Sequence, residues 1–232
     1  MEFDLLQKRK SIRTFSDEKI SDDNLELINN FCKKVVPLFD DIKIEFKLVK
    51  RELTNCPRGE YCLILYSEEK EGYLYNAGYI LEQLDIYICS LGIGVCYYGY
   101  GKSNERSESN LNLITMLNLG MPGEELYRKS VDEFKRMAVD KIWKGPLLDN
   151  VSNIAALAPS AVNTQPWDVK YDGTIIVKQK KKLLTSLAKK LGEYLSLIDL
   201  GIYLYFLEVC LTHNNYDFNR TYEKGCFEYD LK

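Results

Sequence analysis

The chain has 232 residues, 46% hydrophobic and 28% charged, so it can bury a substantial core and reads as an ordinary soluble globular protein. Its formal net charge of −3 argues against a nucleic-acid binder, which needs a basic surface. A single histidine, His213, excludes multi-histidine metal sites, so no metal is expected, and any Ser-His or Cys-His scheme would depend on that one residue.

The opening Met1-Glu-Phe-Asp4 has neither a basic region nor a long apolar stretch after it, so no signal peptide is visible. Seven cysteines without a Cys-x-x-Cys pair read as reduced core thiols, and a cytoplasmic location is expected. Residues 1–8 suit a short helix, followed by the cluster Lys8-Arg9-Lys10-Ser11-Ile12-Arg13. Ser21-Asp-Asp-Asn24 can cap a helix with Leu25, Ile28, Phe31, Cys32 and Val35 on one face, ending at Pro37. Ile44, Phe46 and Leu48 alternate with charged residues as in a half-exposed strand, and 61–66 is a continuous apolar run, as in a central strand. A helix is predicted over 74–91, broken by Gly92-Ile-Gly94 before a strand at 95–98. Residues 102–110 are polar and without periodicity, the best candidate for a loop over a binding face.

Further on, 111–119 reads as a short helix ending at Gly120. Residues 130–142 read as a helix with Val131, Phe134, Met137 and Ala138 on one face, and 147–157 as another. Asp172-Gly173 between two alternating runs is a strong hairpin signal. The basic run Lys178 to Lys182 reads as a solvated helix start rather than a phosphate patch, and 181–191 as amphipathic. Residues 195–211 are apolar nearly all round but slightly short for a membrane span and carry Asp199 and Glu208, which indicates a buried core helix. His213 then reads as a C-terminal helix cap, and Phe227, Tyr229 and Leu231 alternate as a terminal strand.

Two stretches carry chemistry. Ala158-Pro-Ser-Ala-Val-Asn-Thr-Gln-Pro-Trp167 stops a helix at Pro159 and crowds Ser160, Asn163, Thr164 and Gln165 onto a turn closed by Pro166-Trp167. Such a turn can hold a polar planar ring by its edge, or it can be a helix-to-strand loop with a buried tryptophan; the residues alone leave both open. At the other end, Arg9, Ser11 and Arg13 point together if the segment is extended, and guanidiniums beside a hydroxyl suit a phosphate monoester. Arg128-Lys129 offers a second basic pair.

The two halves also echo each other. Pro37 and Pro159 lie 122 positions apart, and Asn76-Ala-Gly78 and Asp199-Leu-Gly201 lie 123 apart, in the same order of elements. Low identity between the halves leaves chance similarity open. A true repeat would pack about a pseudo-twofold axis, with the 74–91 and 195–211 helices paired at the centre.

Together these motifs resemble the nitroreductase family of FMN flavoproteins. Its Arg-Arg-Ser-x-Arg-x-Phe start reads here Arg9-Lys-Ser-Ile-Arg13-Thr-Phe15, and its Ala-Pro-Ser-x-x-Asn-x-Gln-Pro-Trp motif is intact from Ala158 to Trp167. Leu91-Gly-Ile-Gly94, Gly120-Met-Pro122 and Arg128-Lys-Ser-Val-Asp-Glu133 are similar to three further family stretches. The order departs from an ordinary member, where the Ala-Pro-Ser motif follows the arginine motif by one helix. Here that place holds Val35-Val36-Pro37-Leu38-Phe39, without the polar groups. Ordinary members are homodimers with FMN at the interface, so the chain resembles two fused subunits, the duplicated single-chain branch of the family.

The resemblance implies an α+β fold of two packed half-units, residues 1–125 with the phosphate end and 126–232 with the ring end of one FMN site, in a monomer imitating a homodimer. It implies that Arg9, Lys10, Ser11 and Arg128 hold the phosphate, Arg13 reaches the pyrimidine edge, and Pro159, Ser160, Asn163 and Gln165 line or bond near the ring. Tyr98 and Gly99 match a flavin-contacting position, while Trp167 reads as packing. The family's reaction is ping-pong hydride transfer from NAD(P)H through flavin N5 to a small conjugated acceptor such as a nitroaromatic or quinone. It needs no obligatory acid-base side chain, so no catalytic residue is named. The alternatives are a non-catalytic FMN carrier or sensor and a flavin-free interaction protein left from duplication.

Overall fold

The computed structural model describes residues 2–180 and 186–232. The chain opens with α1 (Glu2–Leu6) and then α2 (Asp22–Cys32), whose N-terminus is capped by Ser21 Oγ accepting from Asn24 N. Next come β1 (Ile44–Lys50), β2 (Tyr61–Ser67), α3 (Tyr73–Ser90), β3 (Gly94–Tyr98) and β4 (Asn112–Gly120). These four strands form an antiparallel sheet in the order β1-β2-β4-β3.

The second half holds the short β5 (Trp143–Lys144), α4 (Ser152–Ala155), the hairpin β6 (Trp167–Tyr171) and β7 (Thr174–Gln179), α5 (Ser186–His213), and β8 (Phe218–Glu223) and β9 (Cys226–Leu231). Its sheet order is β5-β6-β7-β9-β8, antiparallel except for the β5–β6 edge. Leaving out β5, each sheet is built as two strands, a long buried helix and two strands, with the same order of pairing. The fold is α+β.

α3 and α5 cross at the centre, and the crossing is reciprocal. A Cβ on Gly78 would stand 1.9 Å from the Ile198 carbonyl oxygen, and one on Gly201 would stand 2.0 Å from that of Tyr75. The glycines are 123 positions apart (201 − 78), and so are Tyr75 and Ile198 (198 − 75). Only glycine lets the two backbones approach this closely. Residue i meets j as j meets i, the contact pattern that a twofold-related pair would give. α5 over Gly192–His213 is long and apolar enough to cross a membrane, with a mean hydropathy of 1.7, yet 67% of that window is buried inside the protein.

Several predicted elements hold: α1, the β1 and β2 strands, α3, β3, the Asp172-Gly173 hairpin and α5. Others are corrected. Residues 112–120 are not a helix but β4, a strand between β2 and β3 in the sheet, buried from Ile114 onward, so its apolar run had no alternation to show. Residues 130–142 hold only two 3-10 turns, Val131–Glu133 and Val139–Lys141. A continuous helix there is broken because Met137 N donates to Gln165 Oε1 (2.8 Å) and Arg136 Nε to the Leu157 carbonyl (3.1 Å). The helix at 147–157 is reduced to α4 with flanking turns, and α2 stops at Cys32, short of Pro37. The terminal strand pairs within its own half, with β7 and with β8. Residues 181–185 of the amphipathic 181–191 segment, which include the end of the Lys178 to Lys182 run, lie outside the described residues; α5 is helical from Ser186.

A candidate anion-and-ring cleft between the halves

The Arg9–Arg13 segment runs extended along the first sheet. Ile12 N donates to the Val95 carbonyl (2.8 Å) and Ile12 is fully buried, so its neighbours Ser11 and Arg13 face the other way, into a cleft. The opposite wall is the loop after α4. Here Val162, Asn163 and Gln165 all take positive φ (43°, 58° and 47°), and for a β-branched residue such as Val162 this is strained. Asp199 on α5 ties the loop down: its Oδ1 accepts from Ala161 N (2.9 Å) and its Oδ2 from Thr164 Oγ1 (3.5 Å). Ser160 Oγ accepts from Gln165 N at 2.9 Å. The loop therefore stands with Val162 94% exposed at the cleft's lip.

Two contiguous cavities fill the cleft. One of about 570 Å³ is lined by Arg9, Lys10, Ser11, Arg13, Glu124, Arg128, Arg136, Pro159, Ser160, Val162 and Asn163. The other, about 260 Å³, shares Ser11, Arg13, Pro159, Ser160 and Val162 and adds Tyr97, Gly99, Thr115, Leu195, Ile198 and Asp199. The first is cationic and the second is a narrower slot with apolar sides. Volumes of a few hundred Å³ with few polar groups are typical of small-molecule sites.

Cations crowd the first cavity. Arg9 is buried, with Nη2 2.8 Å from Asp85 Oδ2; burial alone would lower its pKa, but Asp85 and then Glu82 reverse that and hold it charged. Its Nε has no partner among the described residues. Burial and then Arg9 lower Arg128, while burial, Arg9 and Arg128 pull Arg136 down to about 10. Cations that depress one another's pKa are relieved by a bound anion. Arg128 Nη1 donates to the Arg9 carbonyl and its guanidinium lies 4.0 Å from the Phe134 ring centre. Glu124 holds Lys10 (3.1 Å) and accepts from Arg13 N (3.1 Å) and Thr14 N (3.2 Å); the Arg13 N–H, more than Lys10, lowers its pKa.

The structure thus gathers Arg9, Lys10, Ser11, Arg13, Arg128, Pro159, Ser160 and Asn163 around one cavity and places Gly99 on the adjoining one. Gln165 is not in the lining. It is 1% exposed, and its amide is used by Met137 N and by Asn163, so it positions the loop. Tyr98 lines a third cavity next to the slot, and its hydroxyl donates to the Asn55 carbonyl (3.4 Å). Trp167 is buried and stacks on Tyr203 at 4.9 Å. His213 is the last residue of α5 and stacks on Phe3 at 3.7 Å, lining a different cavity. Two residues not anticipated from sequence are Arg136, which reaches the cleft because Asn163 Oδ1 accepts from its Nη1 (2.8 Å), and Asp199. An acid inside an apolar helix was the signal available for Asp199; Arg136 gave none.

The chain is thus an α+β protein of two equivalently ordered sheets, with a cationic cleft opening into an apolar-sided slot. Residues 3–210 match the family described as "Putative TM nitroreductase", so the chain belongs to this nitroreductase family, a family of oxidoreductases. The solved structure of a "putative nitroreductase" from Thermotoga maritima aligns over 99% of this chain and 93% of its own, at 18% identity and a TM-score of 0.70. That likeness shows the fold. A solved FMN-dependent nitroreductase from Clostridium difficile R20291 aligns over 56% of this chain and 94% of its own, at 15% identity and a TM-score of 0.41. "Probable NAD(P)H nitroreductase PigM" from Serratia sp. is 37% identical over 76 residues, 30% of this chain and 20% of that relative, so the match spans a fifth of the relative's length.

Proposed function

We propose that the cleft binds one FMN per chain and that the protein is an FMN-dependent oxidoreductase of nitroreductase type. The observation that carries this is the meeting of Arg9–Arg13 with Pro159–Asn163, about 150 positions apart, around one cavity with a cationic end and a narrow slot beside it. The residues fit the group. Arg9, Lys10, Ser11 and Arg128, joined by Arg136, would hold the phosphate, and the unpartnered Arg9 Nε and the lowered Arg136 are consistent with a missing anion. Arg13, at the junction of the two cavities, would stand beside the pyrimidine edge as a fixed cation. Pro159, Ser160 and Gly99 would flank the ring.

Bound there, FMN supplies two-electron hydride chemistry between NAD(P)H and a small conjugated acceptor, a nitroaromatic or quinone. The chain's own part is to bind, orient and tune. Leu195, Ile198 and Ile202 give the slot an apolar wall, and Tyr97 donates from its edge to the buried Glu82 (2.8 Å), whose carboxyl is pushed up to about 8 by burial and by Asp85.

The single site follows from reading residues 1–125 and 126–232 as two fused half-units in a monomer that imitates a homodimer. The identical pairing order of the sheets and the reciprocal Gly78 and Gly201 contacts support it. At the positions equivalent to the slot the chain is filled with aromatic rings. Tyr222 stands where Gly99 does, and Phe39 where Val162 does, each 123 positions away; with Tyr75 and Phe227 they form a cluster with ring centres 4.8 to 6.3 Å apart. The test is to purify the protein, record its flavin absorbance and mix it with NADH or NADPH, then an acceptor. Bleaching and reoxidation fit the enzyme; bound FMN inert to both fits a carrier or sensor; a colourless protein without FMN affinity sinks the proposal.

A further inference from the structure

A third cavity, about 200 Å³, adjoins the slot through Arg13, Cys96 and Tyr97, and its floor carries Cys56 and Arg58. Cys56 sits in the loop between the 3-10 turn Arg51–Leu53 and β2, while Cys62 is in β2 itself, fully buried. One hydroxyl joins them: Thr54 Oγ1 accepts from Cys56 N (3.1 Å) and lies 3.4 Å from Cys62 Sγ. Cys56 and Cys62 belong to one small buried cluster with Ile64, Tyr66 and Met116, and Cys56 Sγ donates to the Arg58 carbonyl (3.4 Å). One partner is fixed in a central strand and the other is on the loop that leads into it, both beside the Thr54 hydroxyl.

We propose that Cys56 and Cys62 form a reversible dithiol–disulfide centre, oxidised by a small hydroperoxide entering the cavity beside Arg13 and Arg58. The size of the cavity and the 3% exposure of Cys56 admit an oxidant of a few atoms and exclude a protein thiol. The Cys56 thiolate attacks the peroxide's outer oxygen and the O–O bond breaks. The other oxygen leaves as an alcohol or water after taking up a proton, and Cys56 becomes a sulfenic acid. The Cys62 thiol then attacks the Cys56 sulfur, the S–O bond breaks, water leaves and the S–S bond forms. In all, two thiols lose two electrons and the hydroperoxide gains them; an external dithiol restores the pair. Among the seven cysteines Cys56 alone is shifted toward the thiolate, chiefly by the neighbouring Cys62 thiol and then by the Arg58 backbone and the charges of Arg51 and Arg58. The other six are raised by burial or by donating to a neighbour. The centre does not depend on what the main cleft binds.

The experiment exposes the full-length protein to hydrogen peroxide, alkylates the free thiols after unfolding, and maps peptides by mass spectrometry. The expected result is loss of two of the seven alkylatable thiols, a Cys56–Cys62 peptide about 2 Da lighter than the dithiol, and full recovery with dithiothreitol. In Cys62→Ser the sulfenic acid on Cys56 persists and is trapped by dimedone, whereas Cys96→Ser leaves the crosslink unchanged. Because the wild-type protein carries the primary readout, a misfolded variant does not block it. A Cys56–Cys96 crosslink, or Cys56 remaining alkylatable while Cys32 or Cys226 is oxidised first, overturns the proposal.

Discussion

The two flanks of the α3–α5 crossing start from the same plan and end differently. On one flank Asp199 Oδ1 accepts from Ala161 N and holds a strained loop over an open cleft. On the other, Asn76 Oδ1 accepts from Leu38 N (2.8 Å) and Phe39 N (3.3 Å) and holds the equivalent loop over a packed aromatic cluster. Each flank also has a helix acid holding an arginine at positions 123 apart: Asp85 with Arg9 and Glu208 with Arg220. Arg9 lines the cleft, whereas Arg220, at the position equivalent to Tyr97, donates to the Leu38 carbonyl (3.1 Å) and helps to close its flank. A shared scaffold therefore does not make a site. What distinguishes the open flank is Gly99 and a cluster of cations around the cleft; large rings at the equivalent places give a core.

The shared part should break symmetrically and with the largest effect. Gly78→Val and Gly201→Val each drive a side chain into a carbonyl about 2 Å away, so each should cost about 3 kcal/mol or more, or abolish folding, in urea denaturation. A large loss at one glycine and almost none at the other would contradict the reciprocal crossing.

The filled flank is sharpened by emptying it. Phe227→Ala should lose about 3–5 kcal/mol of stability, since the ring is fully buried and leaves a cavity. Even where the variant folds, no second flavin should bind, because the clustered cations are all on the other flank; a rise toward two FMN per chain speaks against this.

On the open flank Arg128→Ala should weaken FMN binding by about 10–100-fold, the loss of one charge-assisted contact, while riboflavin, which has no phosphate, changes little. Equal losses for both ligands would place Arg128 away from the phosphate.

A further prediction concerns pH. Glu82 is raised from 4.5 to about 8, so between those values the folded protein holds a proton that the unfolded chain has released. Its contribution to stability is full below about pH 4.5 and is lost as pH rises through 8, at a slope of at most about 1.4 kcal/mol per unit. Glu82→Gln should flatten the fall of stability from pH 5 to 8; an unchanged slope removes Glu82 as its source.

Legibility in the sequence followed how local the cause was. α3, α5 and the Asp172-Gly173 hairpin carry their own pattern and could be read directly. β4 could not, because a strand packed on both faces has the same continuous apolar run as a buried helix. The 130–142 stretch has helical spacing, but Gln165 and Leu157 take over its backbone and side-chain bonds from another loop, which no local pattern reveals. β8 was missed because Arg220, one of its partly buried side chains, breaks the apolar alternation that Phe218 and Tyr222 keep. In the cleft, Arg9, Ser11 and Arg13 were readable from their alternation, and the resemblance supplied Arg128 and Pro159 to Asn163. Gln165 and Tyr98 were drawn toward the ring by motif position, while packing turns them to neighbouring tasks.

The central claim is one cationic cleft per chain holding one flavin, with its twin closed. Flavin absorbance of the FMN-saturated protein, measured alongside its mass by light scattering, tests it most directly. The account expects a ratio near one FMN per chain in a particle of 26.9 kDa. A ratio near two, or flavin bound only in a particle of twice that mass, would contradict it.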